Sequence, residues 1–182
     1  MKTIKSLTLC FLVMALMVAS CKKDEKSNDN SPSSNGSFTV DGKKFALQKC
    51  YAHFSHYTTY TEYVLYIVSK DITVNSTGEG SGTGDAMLIQ CRTPQNLTTI
   101  LAGDYTYNLD SNPLTPSTYF DCFVVEGFGT AGQVSLEPEH SVIFKMAKSG
   151  DTYEFSANGK TTDGKTFDFY YKGPITPLSS KK

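Results

Sequence analysis

From Ser37 onward, apolar residues recur at alternate positions in short runs, and Gly, Asp and Asn punctuate them. That spacing belongs to strands with one face buried and the other wet. No segment of this region carries apolar residues at helical spacing with caps. Residues 37–40 lead into Asp41-Gly42, a strong signal for a tight hairpin turn. Residues 44–54 read as one long strand with a bulge, and 62–69 as a strand of nearly continuous apolar character. The latter is therefore expected to be central, with both faces covered. A loop rich in Gly and Ser over 75–85 precedes a strand over 86–91. Residues 98–107 read as two short strands around Gly103-Asp104 or as one bent strand, and 118–125 and 133–136 continue the pattern.

The C-terminal third is the clearest part. Residues 141–147, 152–157 and 165–172 form three strands, joined by the turns Ser149-Gly150-Asp151 and Asp163-Gly164. In the middle strand Tyr153, Phe155 and Ala157 share one face, while Thr152, Glu154 and Ser156 share the other. This predicts a half-buried antiparallel meander. The whole reads as an all-β fold, an antiparallel β-sandwich of about eight to ten strands. A lipocalin-like β-barrel is the alternative, but its usual Gly-x-Trp motif is missing, because the chain has no Trp.

The N-terminus follows a different pattern. Lys2 and Lys5 precede an apolar run over 7–18, and Ala19-Ser20 leads into Cys21. A basic start, an apolar stretch and small residues before a cysteine make a lipoprotein signal peptide over 1–20. The apolar run is shorter than the roughly 20 residues a membrane span needs. Cys21 is thus expected to be the lipidated first residue of the mature chain, and its lipid the link to a membrane. Residues 22–36 contain no apolar side chain and should form a solvated tether. A single domain over 37–178 and a short tail over 179–182 complete the organisation.

Cys21-Lys22-Lys23-Asp24-Glu25 resembles the start of Bacteroidota lipoproteins carried to the outer face of the outer membrane. Two further phrases resemble those of small surface lipoproteins of that group. One is Leu101-Ala102-Gly103-Asp104-Tyr105-Thr106. The other is Ser149-Gly150-Asp151-Thr152-Tyr153, followed by Thr162-Asp163-Gly164-Lys165-Thr166 and Tyr171-Lys172-Gly173-Pro174-Ile175. The resemblance implies an outer-membrane address, with surface display expected and a periplasm-facing anchor as the alternative. It brings no catalytic residues.

Charge narrows the partners. Loss of Lys2 and Lys5 with the leader leaves fifteen basic against eighteen acidic residues, a net charge of −3. Without a concentrated basic surface, nucleic acid is not an expected partner. Three cysteines, Cys50, Cys91 and Cys122, fall in the domain, each inside a strand-like run. Core packing of free thiols is the expectation, and one disulfide plus a leftover thiol is the alternative. No Cys-x-x-Cys is present.

Four patterns bear on chemistry. The run over 78–85 has many glycines, but it lacks the Gly-Lys-Ser/Thr ending and the strand-loop-helix context of a phosphate loop. It is expected to be a flexible hairpin loop. Residues 51–60 are richer in meaning. In an extended chain Tyr51, His53, Ser55 and Tyr57 share one face, and Cys50, Ala52 and Phe54 share the core face. Tyr51, His53 and Tyr57 would then form a row of flat, polar-tipped rings suited to stacking on sugars, or would cover a neighbouring strand. Glu137, Glu139 and His140 sit in a turn, and Asp71, Glu79 and Asp85 are scattered, so no metal site is expected. Asp104, Asp121, Glu126 and Glu154 are the carboxylates that a polysaccharide hydrolase would have to pair. No hydrolase motif accompanies them. The expectation is a surface-anchored, non-catalytic binding module without cofactor, for glycan or an envelope protein. A purely structural envelope lipoprotein is the alternative, and a polysaccharide hydrolase comes third.

Overall fold

The computed structural model describes residues 35–58, 60–94, 99–108 and 118–178. The expected leader, Cys21, the tether up to residue 34 and the tail over 179–182 lie outside them. Fourteen strands are found among the described residues, and no helix. In chain order they are β1 (Gly36–Val40), β2 (Lys43–Leu47), β3 (Lys49–His56), β4 (Tyr60–Val68), β5 (Thr73–Val74), β6 (Gly80–Ser81) and β7 (Gly84–Pro94). Then follow β8 (Gly103–Tyr107), β9 (Thr118–Phe128), β10 (Val134–Leu136), β11 (Phe144–Ser149), β12 (Thr152–Lys160), β13 (Thr166–Gly173) and β14 (Thr176–Leu178).

The expected turns form for the expected reasons. Asp41 and Gly42 take φ of 47° and 80°, the left-handed region that a two-residue hairpin needs. Val40 therefore faces Lys43 across β1 and β2. The Asp41 carboxylate also accepts from the Thr166 backbone N–H at 2.8 Å, tying this turn to the start of β13. The C-terminal meander is β11, β12 and β13, paired antiparallel. Strand β1 begins at Gly36, inside the range expected as tether. Gly36 already pairs with Leu47 and Tyr171, and the Asn35 carbonyl accepts from the Lys172 N–H.

The antiparallel sandwich of eight to ten strands is replaced by one large curled mixed sheet. Twelve strands join in the order β14-β3-β4-β7-β9-β8-β11-β12-β13-β1-β2, with β10 added on β9. Two pairings are parallel, β14 on β3 and β8 on β9. Three local causes raise the count. The single strand expected over 44–54 breaks at Gln48 into β2 and β3. The Gly-rich segment forms the small hairpin β5–β6. The Pro177 segment adds at an edge, where a missing N–H does least harm.

The break at Gln48 explains the curl. β2 ends the sheet at one side and β3 lies next to the other end, yet only Gln48 separates them. The sheet must bend round until its two ends nearly meet at that corner. Gln48 is held there by its N–H on the Val68 carbonyl at 2.8 Å, and its own carbonyl accepts from the Asn35 side chain. The two halves enclose a single core. Phe38, Phe45, Phe155, Phe167 and Tyr171 come from one half, and Tyr63, Leu65, Ile67, Met87 and Val124 from the other. Buried tyrosines find partners for their hydroxyls, Tyr119 on the Val142 carbonyl and Tyr171 on the Pro174 carbonyl.

β4 is not covered on both faces as expected. Thr61, Tyr63, Leu65 and Ile67 are buried, while Glu62, Val64 and Tyr66 are half-buried on the outside. A run of apolar residues hid this alternation, because Val64 and Tyr66 face outward.

Candidate functional site

Alternation on β3 places Cys50 and Ala52 in the core and Tyr51, His53 and Ser55 on the outer face. Strand register then builds three rows across that face. Tyr51 lies opposite Tyr66, then Leu88 and Phe123. His53 lies opposite Val64, then Gln90 and Asp121. Ser55 lies opposite Glu62 and then Arg92. All are half-buried.

One end of this face is closed. The segment expected to be a flexible hairpin loop does form a hairpin, β5–β6, and it packs against this end of the face. Ile72 and Val74 bury against Val68, Ala86 and Val125, with Tyr51, Tyr66 and Phe128 packed around them. The turn of the hairpin is built around Asn75. Its side-chain oxygen accepts from the Thr77 and Glu79 backbone N–H groups, both at 2.9 Å, and its amide donates to the Glu79 carboxylate. That amide and the Thr77 hydroxyl, which also donates to the carboxylate, hold the Glu79 carboxyl below its ordinary value. The glycines serve close approach. A Cβ on Gly80 would lie 2.9 Å from the Phe128 ring, and one on Gly78 2.6 Å from the Tyr66 hydroxyl.

The other end is open. β3 stops at His56, so Tyr57 does not continue the alternating row as expected. The chain turns back there, with the Tyr57 N–H on the Tyr60 carbonyl at 2.9 Å. The two rings stack, centroids 4.6 Å apart and planes 26° apart. The Arg92 guanidinium lies 5.3 Å from the Tyr60 centroid. Tyr57 is 47% exposed, the most exposed large apolar side chain among the described residues. Arg92, Tyr60 and Tyr57 thus form a stack whose outermost ring faces water.

Two carboxyls of this face are shifted by their surroundings. Burial pushes the Glu62 carboxyl above its ordinary value, and Arg92, 3.9 Å away, pulls it part of the way back. Asp121 is also raised. Burial is the main cause, opposed by the Cys122 backbone hydrogen bond and aided by the negative charge of Glu137.

The three sequence-predicted rings therefore part company. Tyr51 lies at the covered end, His53 in the middle and Tyr57 at the open end. Tyr60, Glu62, Gln90 and Arg92 complete the face and were missed, and Asp121, read from sequence only as a carboxylate a hydrolase would have to pair, joins them. Alternating polar residues on the strands beside β3 were the signal that could have found them.

The remaining candidates do not assemble. Glu126 pairs with Lys43 at 3.2 Å and Glu154 with Lys172 at 3.0 Å. Asp121 and Glu126 stand five residues apart on β9, roughly 17 Å along a strand. Glu137 lies 3.6 Å from His140, whose ring stacks on Tyr107 with centroids 3.6 Å apart. Among the described residues no three His, Cys, Asp or Glu side chains group to hold a metal. Cys50, Cys91 and Cys122 are free and buried, and burial pushes all three thiols well above their ordinary value.

Fold and face together define an all-β domain with an open aromatic and polar sheet surface. No family model, no curated protein and no solved structure matches the chain. Function has to be read from the chain's own surface.

Proposed function

We propose that this protein is a surface-anchored, non-catalytic glycan-binding module of a bacterial outer membrane. The observation that carries the reading is the Arg92–Tyr60–Tyr57 stack. Its end ring is exposed and fixed in place, beside a face that holds a carboxylate, an amide and an imidazole. A sugar offers an apolar ring face to such a platform and hydroxyls to the groups around it. The rigid stack lowers the ordering cost of binding. Cys21 and the polar run after it supply the anchor and the reach.

The purified full chain, titrated against a panel of defined oligosaccharides, tests the site. Binding that Tyr57→Ala abolishes, with thermal unfolding unchanged, supports it. Absence of binding to any glycan moves the weight to an envelope protein as the partner. For the anchor, Cys21→Ala should abolish incorporation of labelled palmitate and release the protein from membranes. Continued acylation would refute that part.

A structural envelope role is the second reading. Tyr51 favours it, because that ring packs beside the satellite core under the hairpin rather than projecting into water.

A further inference from the structure

The outer face of the other half of the sheet carries a separate depression of about 570 Å³. Its floor is set by register. Ser37, Tyr170, Ser156 and Lys145 lie in one row across β1, β13, β12 and β11, and Thr39, Asp168 and Asn158 in the next. Tyr170 and Ile143 are 42% and 43% exposed, although both are large and apolar enough to be expected inside. The Tyr170 ring is fixed from one end. Its hydroxyl donates to Glu154 at 3.2 Å, and Lys172 holds the other oxygen of that carboxylate at 3.0 Å.

The groups around the ring are uncommitted. The side chains of Ser37, Thr39, Ser156, Asn158, Asp168 and Lys145 make no hydrogen bond or ion pair to any described residue. Lysine only donates, aspartate only accepts, and the hydroxyls and amide do both. A volume of this size lies within the range of small-molecule sites, about 300–1,000 Å³. Its chemistry departs from the usual apolar lining of such sites. One cation and one anion among neutral groups do not favour a phosphate, and no carboxylate cluster favours a metal. A fixed ring ringed by free donors and acceptors matches a ligand with an apolar face and many hydroxyls.

We propose that this groove is a second saccharide site, in which a sugar stacks on Tyr170 and is held by Ser156, Asn158, Asp168 and Lys145. It uses no residue of the Tyr57 site and does not depend on it. Two sites on different outer faces of one domain would let a polysaccharide be held at two points, with avidity above either alone.

The full chain is titrated calorimetrically against defined neutral, acidic and amino-sugar oligosaccharides, as wild type, Tyr57→Ala, Tyr170→Ala, Tyr170→Phe and Ser156→Arg. At least one oligosaccharide should bind Tyr57→Ala as it binds wild type, and lose about tenfold or more in affinity with Tyr170→Ala. Ser156→Arg, which keeps the ring and fills the groove beside it, should lose the same ligand. Tyr170→Phe should keep most of the affinity. Binding that only Tyr57→Ala affects overturns this inference and leaves the first site standing. Binding that only the groove variants affect does the reverse. A wild-type chain that binds none of the panel overturns both.

Discussion

Removal of one buried hydroxyl should cost as much as removal of two. Tyr63 on β4 and Tyr105 on β8 are both fully buried. Tyr63 donates to the Tyr105 hydroxyl at 2.8 Å, and Tyr105 donates in turn to the Leu101 carbonyl at 2.8 Å. Tyr63→Phe deletes the first bond and leaves the second intact, a loss of about 1 kcal/mol. Tyr105→Phe deletes the bond to Leu101 and also takes the acceptor from Tyr63. The Tyr63 hydroxyl is left with the Cys91 sulfur, a weak acceptor. A lost bond and a poorly satisfied buried hydroxyl together cost about 2 kcal/mol. In the double variant no hydroxyl is stranded, so its cost should be about 2 kcal/mol rather than about 3 kcal/mol, a coupling of about 1 kcal/mol. For a domain of this size, 1 kcal/mol moves the melting point by about 4 °C. Urea unfolding followed by circular dichroism, on the four proteins of the cycle, measures the coupling. Additive costs within about 0.3 kcal/mol would refute the chain of hydrogen bonds as described.

Three further outcomes follow from the same geometry. Gly80→Val should lift the β5–β6 hairpin off Phe128 and destabilise by about 1–3 kcal/mol, with faster amide exchange in 69–84 than elsewhere; uniform exchange would mean that the hairpin is not a separate unit. Cys50, Cys91 and Cys122 should resist iodoacetamide at pH 8 in the folded protein and label fully in urea, with the same thiol count before and after reductant. The folded Glu62 carboxyl sits above its ordinary value, so the folded state holds its proton more tightly than the unfolded chain. That group's contribution is most favourable below about pH 4.5 and is lost as pH rises through its raised folded value. Glu62→Gln should therefore gain stability over wild type as pH climbs from 4 to 7, and equal pH profiles by thermal unfolding would count against it.

Strand existence was legible where local chemistry decides it. Asp41-Gly42, Gly150 and Asp163-Gly164 mark turns that any alternating neighbours must obey, and the meander over β11 to β13 follows from them. Topology was not legible, because the parallel partner of β3 is distant in sequence, and nothing in the sequence announces that the consecutive strands β8 and β9 pair parallel rather than as a hairpin. The curl was hidden for a similar reason. Gln48 is an ordinary residue whose consequence appears only when β2 and β3 are known to lie near opposite ends of one sheet. The site was half legible. Alternation put Tyr51, His53 and Ser55 outward, but Tyr57 reaches the open end by a chain reversal, and the Arg92 beneath it comes from a strand two places away.

The sheet's edges bear on how a partner would engage it. An open sheet with two long free edges invites strand addition by another chain. Here β14 has three residues and carries Pro177, so it presents few free backbone groups. β2 is the other end, and it begins with Lys43 and Lys44, both exposed. Lys43 also reaches across to Glu126 on β9, which puts charge where a pairing strand would have to start. Short, charged and proline-bearing edges disfavour backbone pairing as a mode of recognition. The exposed rings at Tyr57 and Tyr170 stand on two faces of the sheet, each held by its neighbours. Face recognition through rings and hydroxyls suits a saccharide better than an extended peptide, which would gain most of its affinity from an edge.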